Sequence, residues 1–144
     1  MPAIQLLDLD ASLEEGARLQ LADMHFTLAA EGFPVRVCRG DALSVRLDSF
    51  SGEIVYPAPA AFFRGLTLLC EHWGQPPFAV RQAPLFTTLG AMLDCSRNAV
   101  PTVQTLQLLL RRMSRMGFNT LMLYTEDTYT VPQRPAFGYL RGRY

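Results

Sequence analysis

Leu89-Gly-Ala-Met-Leu-Asp94 and Phe118-Asn-Thr-Leu-Met-Leu-Tyr124 are two short, nearly unbroken apolar runs, and the segment joining them decides the fold. A strand with one wet face alternates apolar and polar residues, whereas a strand that is apolar throughout is one covered on both faces, as in a parallel sheet. Between the runs, Pro101 and Thr102 open a helix. Its apolar positions, Val103, Leu106, Leu109/Leu110, Met113 and Met116, recur at the helical period, and Gly117 closes it. Strand, helix and strand in that order predict a βαβ unit with parallel strands and a right-handed crossover.

Ahead of Thr87 the pattern differs. Ser12-Leu-Glu-Glu15 has the form of a capping box and predicts a short amphipathic helix on Leu13, Gly16/Ala17, Gln20/Leu21 and Met24, weakened by Gly16. Alternation then takes over: Phe26 and Leu28, then Phe33, Val35 and Val37, then Leu43, Val45 and Leu47, and finally Glu53-Ile-Val-Tyr56. With turn residues at Ala30-Glu-Gly32, Arg39-Gly-Asp41 and Asp48-Ser-Phe-Ser-Gly52, this predicts a meander of four antiparallel strands with one polar face. Arg39-Gly-Asp41 is read as a hairpin turn, not as an adhesion tripeptide. Pro57-Ala-Pro59 starts a second helix, which Gly74 and Pro76-Pro77 end. Phe62, Phe63, Leu66, Leu69/Cys70 and Trp73 share one face of it, a stripe explained better by packing on the sheet than by a ligand box. The expected class is α/β: an α+β domain with an antiparallel sheet over 1–85, then a parallel βαβ segment over 86–144.

Composition bounds the function. The 144 residues suffice for one domain, or a small domain and part of another, and about half are apolar, as in a globular protein. Net charge is zero and all 13 basic residues are Arg, which reads as the mark of a GC-rich genome more than of phosphate recognition. The Arg residues are not clustered with interleaved aromatics and no glycine-rich phosphate loop follows either apolar strand, so neither nucleic acid nor a phosphate-binding enzyme is expected. Residues 1–86 hold six Arg against ten carboxylates, and residues 87–144 hold seven against three. Attraction between the halves and simple solvation explain that split equally well. Cys38, Cys70 and Cys95 form no CxxC pair and are expected as reduced, buried thiols, with no zinc site, no other metal and no cofactor. The N-terminus lacks a signal-peptide pattern and no stretch approaches the ~20 apolar residues of a membrane helix, so a cytoplasmic protein without a membrane partner is expected.

In barrels and open α/β sheets, chemistry collects at the C-terminal ends of the strands. Here those ends are Asp94-Cys-Ser-Arg97 and Tyr124-Thr-Glu-Asp127, which a parallel pair would place side by side. Asp94, Glu126 and Asp127 can accept from sugar hydroxyls, while Arg97 and Tyr124 can donate to sugar oxygens. An Asp94–Arg97 ion pair and a loop cap by Asp127 are the alternative structural roles, with equal claim on spacing alone.

The stretch from Gly90 to Pro101, the helix, Asn119-Thr-Leu-Met-Leu-Tyr-Thr-Glu-Asp-Thr-Tyr129 and Phe137-Gly-Tyr-Leu-Arg-Gly-Arg-Tyr144 together resemble the opening of the catalytic barrel in family 20 glycoside hydrolases, the exo-acting β-N-acetylhexosaminidases, in their intracellular-looking bacterial branch. The first 85 residues are similar in layout to the small α/β domain preceding that barrel. The resemblance implies a TIM barrel of which this chain holds the first strands. It also implies removal of terminal N-acetylglucosamine or N-acetylgalactosamine with retention, the substrate's acetamido oxygen acting as nucleophile. The family's Asp-Glu acid/base pair ends the fourth strand, so no catalytic residue is expected here. The pair should lie about 100–150 residues beyond residue 144, at the ~30-residue spacing of βα units.

By position, Asp94, Arg97, Tyr124, Glu126 and Asp127 would line or support the sugar pocket. Many members carry Arg where this chain has Leu89, which leaves open how the sugar is gripped. The expected partners are an amino-sugar glycoside and the remainder of the barrel, with a homodimer left open. A two-stranded parallel piece should also show an uncovered apolar face. The competing reading is a non-catalytic α/β module that supports or docks a partner.

Overall fold

The structure, a computed structural model, describes residues 1–97, 100–125 and 132–134. Its strands are β1 (Ala3–Leu7), β2 (Thr27–Leu28), β3 (Phe33–Arg39), β4 (Leu43–Leu47), β5 (Gly52–Tyr56), β6 (Phe78–Gln82), β7 (Gly90–Asp94) and β8 (Thr120–Tyr124). Its helices are α1 (Glu14–Asp23), α2 (Pro59–Glu71) and α3 (Val103–Arg115), with a 3-10 turn at Ala11–Leu13. The class is α/β. One sheet runs β2-β1-β3-β5-β4-β6, and β7 and β8 form a second.

The larger sheet is mixed, which corrects the expected antiparallel meander. β1 pairs in parallel with β2 and β3, and β3 in parallel with β5, while β4 alone runs against its neighbours β5 and β6. Alternation reports which face of a strand is buried and carries nothing about its neighbour's direction. The one hairpin, β4–β5, is closed by Asp48, whose Oδ1 accepts from Phe50 N at 2.7 Å and Ser51 N at 2.6 Å. It folds β5 back between β3 and β4. The Arg39-Gly-Asp41 turn is therefore not a hairpin: it crosses the end of β5, where Gly40 N donates to Tyr56 O at 3.1 Å. A Cβ on Gly40 would lie 2.5 Å from Val55 Cγ1, so the crossing needs glycine.

β1 and β6 are additional to the sequence expectation. At the start of the first helix, Asp10 and not Ser12 supplies the cap: Asp10 Oδ1 accepts from Ser12 N at 3.0 Å and Ser12 Oγ at 2.7 Å. The 3-10 turn moves the helix start to Glu14, and Glu15 turns outward to Arg18 instead of capping.

α1 and α2 cover one face of the larger sheet. Ile4, Val35, Val37, Val45 and Ile54 from the strands meet Ala17 and Leu21 of α1 and Phe62, Leu66 and Leu69 of α2, all essentially without solvent contact. Each large side chain so buried contributes about 1.5–3 kcal/mol. The aromatic stripe is core: Trp73 meets Phe26 and Phe33 edge-on at 5.3 and 4.9 Å. α2 sits close because Gly65 lacks a side chain, where a Cβ would come within 2.9 Å of both Ile54 Cγ2 and Leu43 Cδ1. Gly65→Val should therefore destabilise by about 1–3 kcal/mol through overpacking. Unchanged chemical denaturation of this variant would show that α2 is not seated so closely.

β7 and β8 are parallel, in register from Gly90↔Thr120 to Asp94↔Tyr124, and α3 connects them as expected. Thr102 caps α3 by accepting from Thr105 N at 3.2 Å, and Gly117 ends it at φ +84°. Within α3 the inner stripe is narrower than the periodicity predicts: Met113 is buried, Leu106 and Leu109 are half-buried, and Val103, Leu110 and Met116 are exposed. The two-stranded sheet is uncovered, with Met92 60% and Met122 55% exposed. All three cysteines are free, but only Cys70 is buried, with burial pushing its thiol up to about 12; Cys38 and Cys95 are half-buried, contrary to expectation. Among the described residues no helix is long and apolar enough to cross a membrane.

Candidate functional site

The register of β7 and β8 brings Asp94 and Tyr124 to the same end of the sheet as direct partners. Cys95 N donates to Tyr124 O at 2.7 Å, so the pairing continues into the first residue past each strand. At the opposite end, Asn119 fixes the register. Its backbone N donates to Leu89 O at 3.0 Å, its Oδ1 accepts from Leu89 N at 3.0 Å, and its Nδ2 donates to Thr87 O at 2.8 Å. One side chain thus ties the beginnings of both strands together.

At the tip, Asp94 is held by its own turn. Oδ1 accepts from Ser96 N at 2.8 Å and Ser96 Oγ at 2.5 Å, and Oδ2 faces Arg97 Nε at 3.4 Å. The hydroxyl bond from Ser96 lowers the Asp94 pKa most, the Ser96 amide bond next; desolvation opposes them, and Arg97 adds a smaller lowering. Ser96 is buried, whereas the Arg97 side chain is 72% exposed. Arg97 is thus a minor partner of Asp94, and Ser96 the main one. Sequence reading noted Ser96 only as part of the cluster, although Asp-x-Ser is itself a pattern for this type of turn.

The tip therefore unites Asp94, Arg97 and Tyr124, with a carboxylate kept ionised by neutral donors. Such a carboxylate accepts hydrogen bonds, and two lone pairs on each oxygen let it serve a ligand hydroxyl while engaged with Ser96. Glu126 and Asp127 lie outside the described residues. Among the described residues no group of three or more His, Cys, Asp or Glu side chains is placed to hold a metal.

Because the folded-state pKa of Asp94 is depressed, its stabilisation is complete above the unfolded carboxylate value of about 3.9 and is lost as pH falls through the lower folded value. Ser96→Ala should move the Asp94 midpoint upward, as read by carboxyl-carbon NMR. A midpoint that stays in place would assign the depression to Arg97 instead.

No protein-family profile and no curated protein matches the sequence. Solved structures do match the fold. A family 20 exo-β-N-acetylglucosaminidase from Vibrio harveyi, solved with N-acetylglucosamine, superposes at TM-score 0.71 and 17% identity, over 94% of this chain and 24% of its own. The N-acetyl-β-hexosaminidase of Streptomyces plicatus gives 0.66 and 20%, over 93% and 33%. A family 138 glycoside hydrolase that targets pectin rhamnogalacturonan II gives 0.61 and 13%, over 93% and 26%. The chain thus shares their fold and spans about a quarter to a third of their length.

Proposed function

We propose that these residues are the N-terminal part of an exo-acting β-N-acetylhexosaminidase, with a small domain over 1–85 and the opening of a TIM barrel over 86–144. The observation that carries the reading is the in-register parallel pairing of β7 and β8, which puts Asp94 and Tyr124 at one mouth. The fold likeness to family 20 enzymes along 93–94% of the chain supports it, as does the uncovered face of the β7–β8 sheet, which further barrel strands would cover.

In this reading Asp94 accepts from a sugar hydroxyl, Arg97 and Tyr124 donate to sugar oxygens, and Glu126 and Asp127 complete the rim. The acid/base pair that cleaves the glycoside, with the substrate's acetamido oxygen as nucleophile, lies outside residues 1–144. The substrate is a terminal N-acetylglucosaminide or N-acetylgalactosaminide. Three free thiols suit a reducing cytoplasm. The test is calorimetric titration of the complete polypeptide with N-acetylglucosamine, comparing wild type with Glu126→Gln. Weakened binding supports Glu126 in the pocket, unchanged binding removes it, and no binding by wild type rejects the sugar reading.

A support module remains the second reading. Leu89 favours it, because it brings no hydrogen-bond donor in its side chain where the resembling family often has Arg.

A further inference from the structure

The acidic first part of the chain and the basic remainder meet at the last turn of α3. Asp23, the final residue of α1, faces Arg111 (Nη1–Oδ1 3.3 Å) and Arg115 (Nη2–Oδ2 3.7 Å). The Asp23 and Arg115 side chains are each only 29% exposed. From α2, Arg64 Nη1 donates to the Arg115 carbonyl at 3.3 Å. That carbonyl is one of those a helix leaves open at its C-terminus, where the dipole is negative and a cation is favoured. Gln20 lies beside both contacts: Nε2 donates to Thr67 Oγ1 at 2.9 Å and Phe63 O at 2.8 Å, while Oε1 is 3.4 Å from Ser114 Oγ, whose shorter bond, 2.8 Å, runs to Arg111 O in its own helix. Met113 is buried on the same turn. Two residues past α3, Gly117 turns beside Arg64, where an added Cβ would lie 3.6 Å from the Arg64 Cβ, and the chain then reaches Asn119, which sets the β7–β8 register.

We propose that Asp23, with Gln20 and Arg64, is an electrostatic clamp on the last turn of α3 that makes the six-stranded layer and the β7–α3–β8 unit one cooperative body. The proposal is independent of the glycosidase reading. Ion pairs on open surface contribute little because water and salt screen them. The Asp23–Arg115 pair is more covered than that, although Arg111 is 44% exposed, and the Arg115 Nε is buried with no hydrogen-bond partner among the described residues. Removing the Asp23 charge therefore leaves Arg115 half-buried without compensation, which costs more than the pair itself was worth. With the clamp gone, the β7–α3–β8 unit opens separately while the larger sheet stays closed.

The test is amide hydrogen exchange on the 144-residue chain at low salt and at ~1 M salt, where the screening length falls to about 3 Å. At low salt, Asp23→Asn should lower protection of the α3 amides by about tenfold. The β3–β5 amides should keep their wild-type values, and Asp23→Glu should restore most of the loss. High salt should bring wild type toward the variant and change the variant little. Arg111→Gln combined with Arg115→Gln must give the same selective loss from the other side, and adding Asp23→Asn to that pair should cost little more. Undiminished α3 protection, a loss spread evenly over β3–β5, or a loss equally large at both salts would each overturn the proposal.

Discussion

Phe62→Ala should lower the stability of the chain by about 3–5 kcal/mol, the range for a large aromatic removed from a packed core. Phe62 has no solvent contact, and its ring lies 5.4 Å from that of Tyr56 and 5.2 Å from that of Phe63. It stands in the first half of α2, directly over the part of the sheet where β4 and β5 meet the helix. The cost has two parts, the lost transfer of the ring out of water and the cavity that its rigid neighbours cannot fill. Strands on one side and a helix closely seated at Gly65 on the other leave little room for collapse, so the upper half of the range is expected. Chemical denaturation followed by the single tryptophan, Trp73, measures it, since that ring belongs to the same core. A loss under about 1 kcal/mol, the scale of an ordinary surface substitution or smaller, would mean that Phe62 is not the centre of this layer.

The second large effect concerns chemistry. On the proposed function, Asp94→Ala in the complete polypeptide should reduce kcat/KM toward a chromogenic N-acetylglucosaminide by about 10- to 100-fold, the worth of one charged hydrogen bond to substrate. Asp94→Asn separates the two roles open to this residue. As a sugar acceptor it must lose rate with Asn as well, because half of the amide donates where the carboxylate accepted. As only the anchor of its own turn, held by Ser96, it should lose acid-dependent stability and keep its kinetics. Wild-type kinetics in Asp94→Asn would remove Asp94 from the pocket.

What was legible in the sequence follows from the physics of each element. β7, α3 and β8 were readable because strands apolar on both faces and a capped helix between them leave little choice of arrangement. α2 was readable from its aromatic stripe and its proline and glycine boundaries. The direction of β3, β4 and β5 was not, because Val35, Val45 and Ile54 alternate identically in parallel and antiparallel neighbours. Short β1 has only Ile4 fully buried, and β6 follows Pro76-Pro77, which reads as a stop. Ser12 fits the four-residue capping-box pattern, whereas Asp10, two residues earlier, makes the bonds. At the candidate site the residue types were visible in the sequence. The dominance of Ser96 over Arg97 as the partner of Asp94 was not, because it depends on how the turn folds back on the carboxylate.

The pairing of the two tips can be tested with chemistry already in the chain. Cys95 is the residue after β7 and Thr125 the residue after β8, and continuing the register one step past Asp94↔Tyr124 sets them side by side, at the ~4.8 Å separation of neighbouring strands and inside the Cα window of a disulfide. In the Thr125→Cys variant, mild oxidation should link Cys95 to the new thiol, identified by mass of the joined peptides. If that bond fails to form while Cys95 links instead to a thiol introduced by Thr120→Cys, the strands run antiparallel and the tips share no mouth.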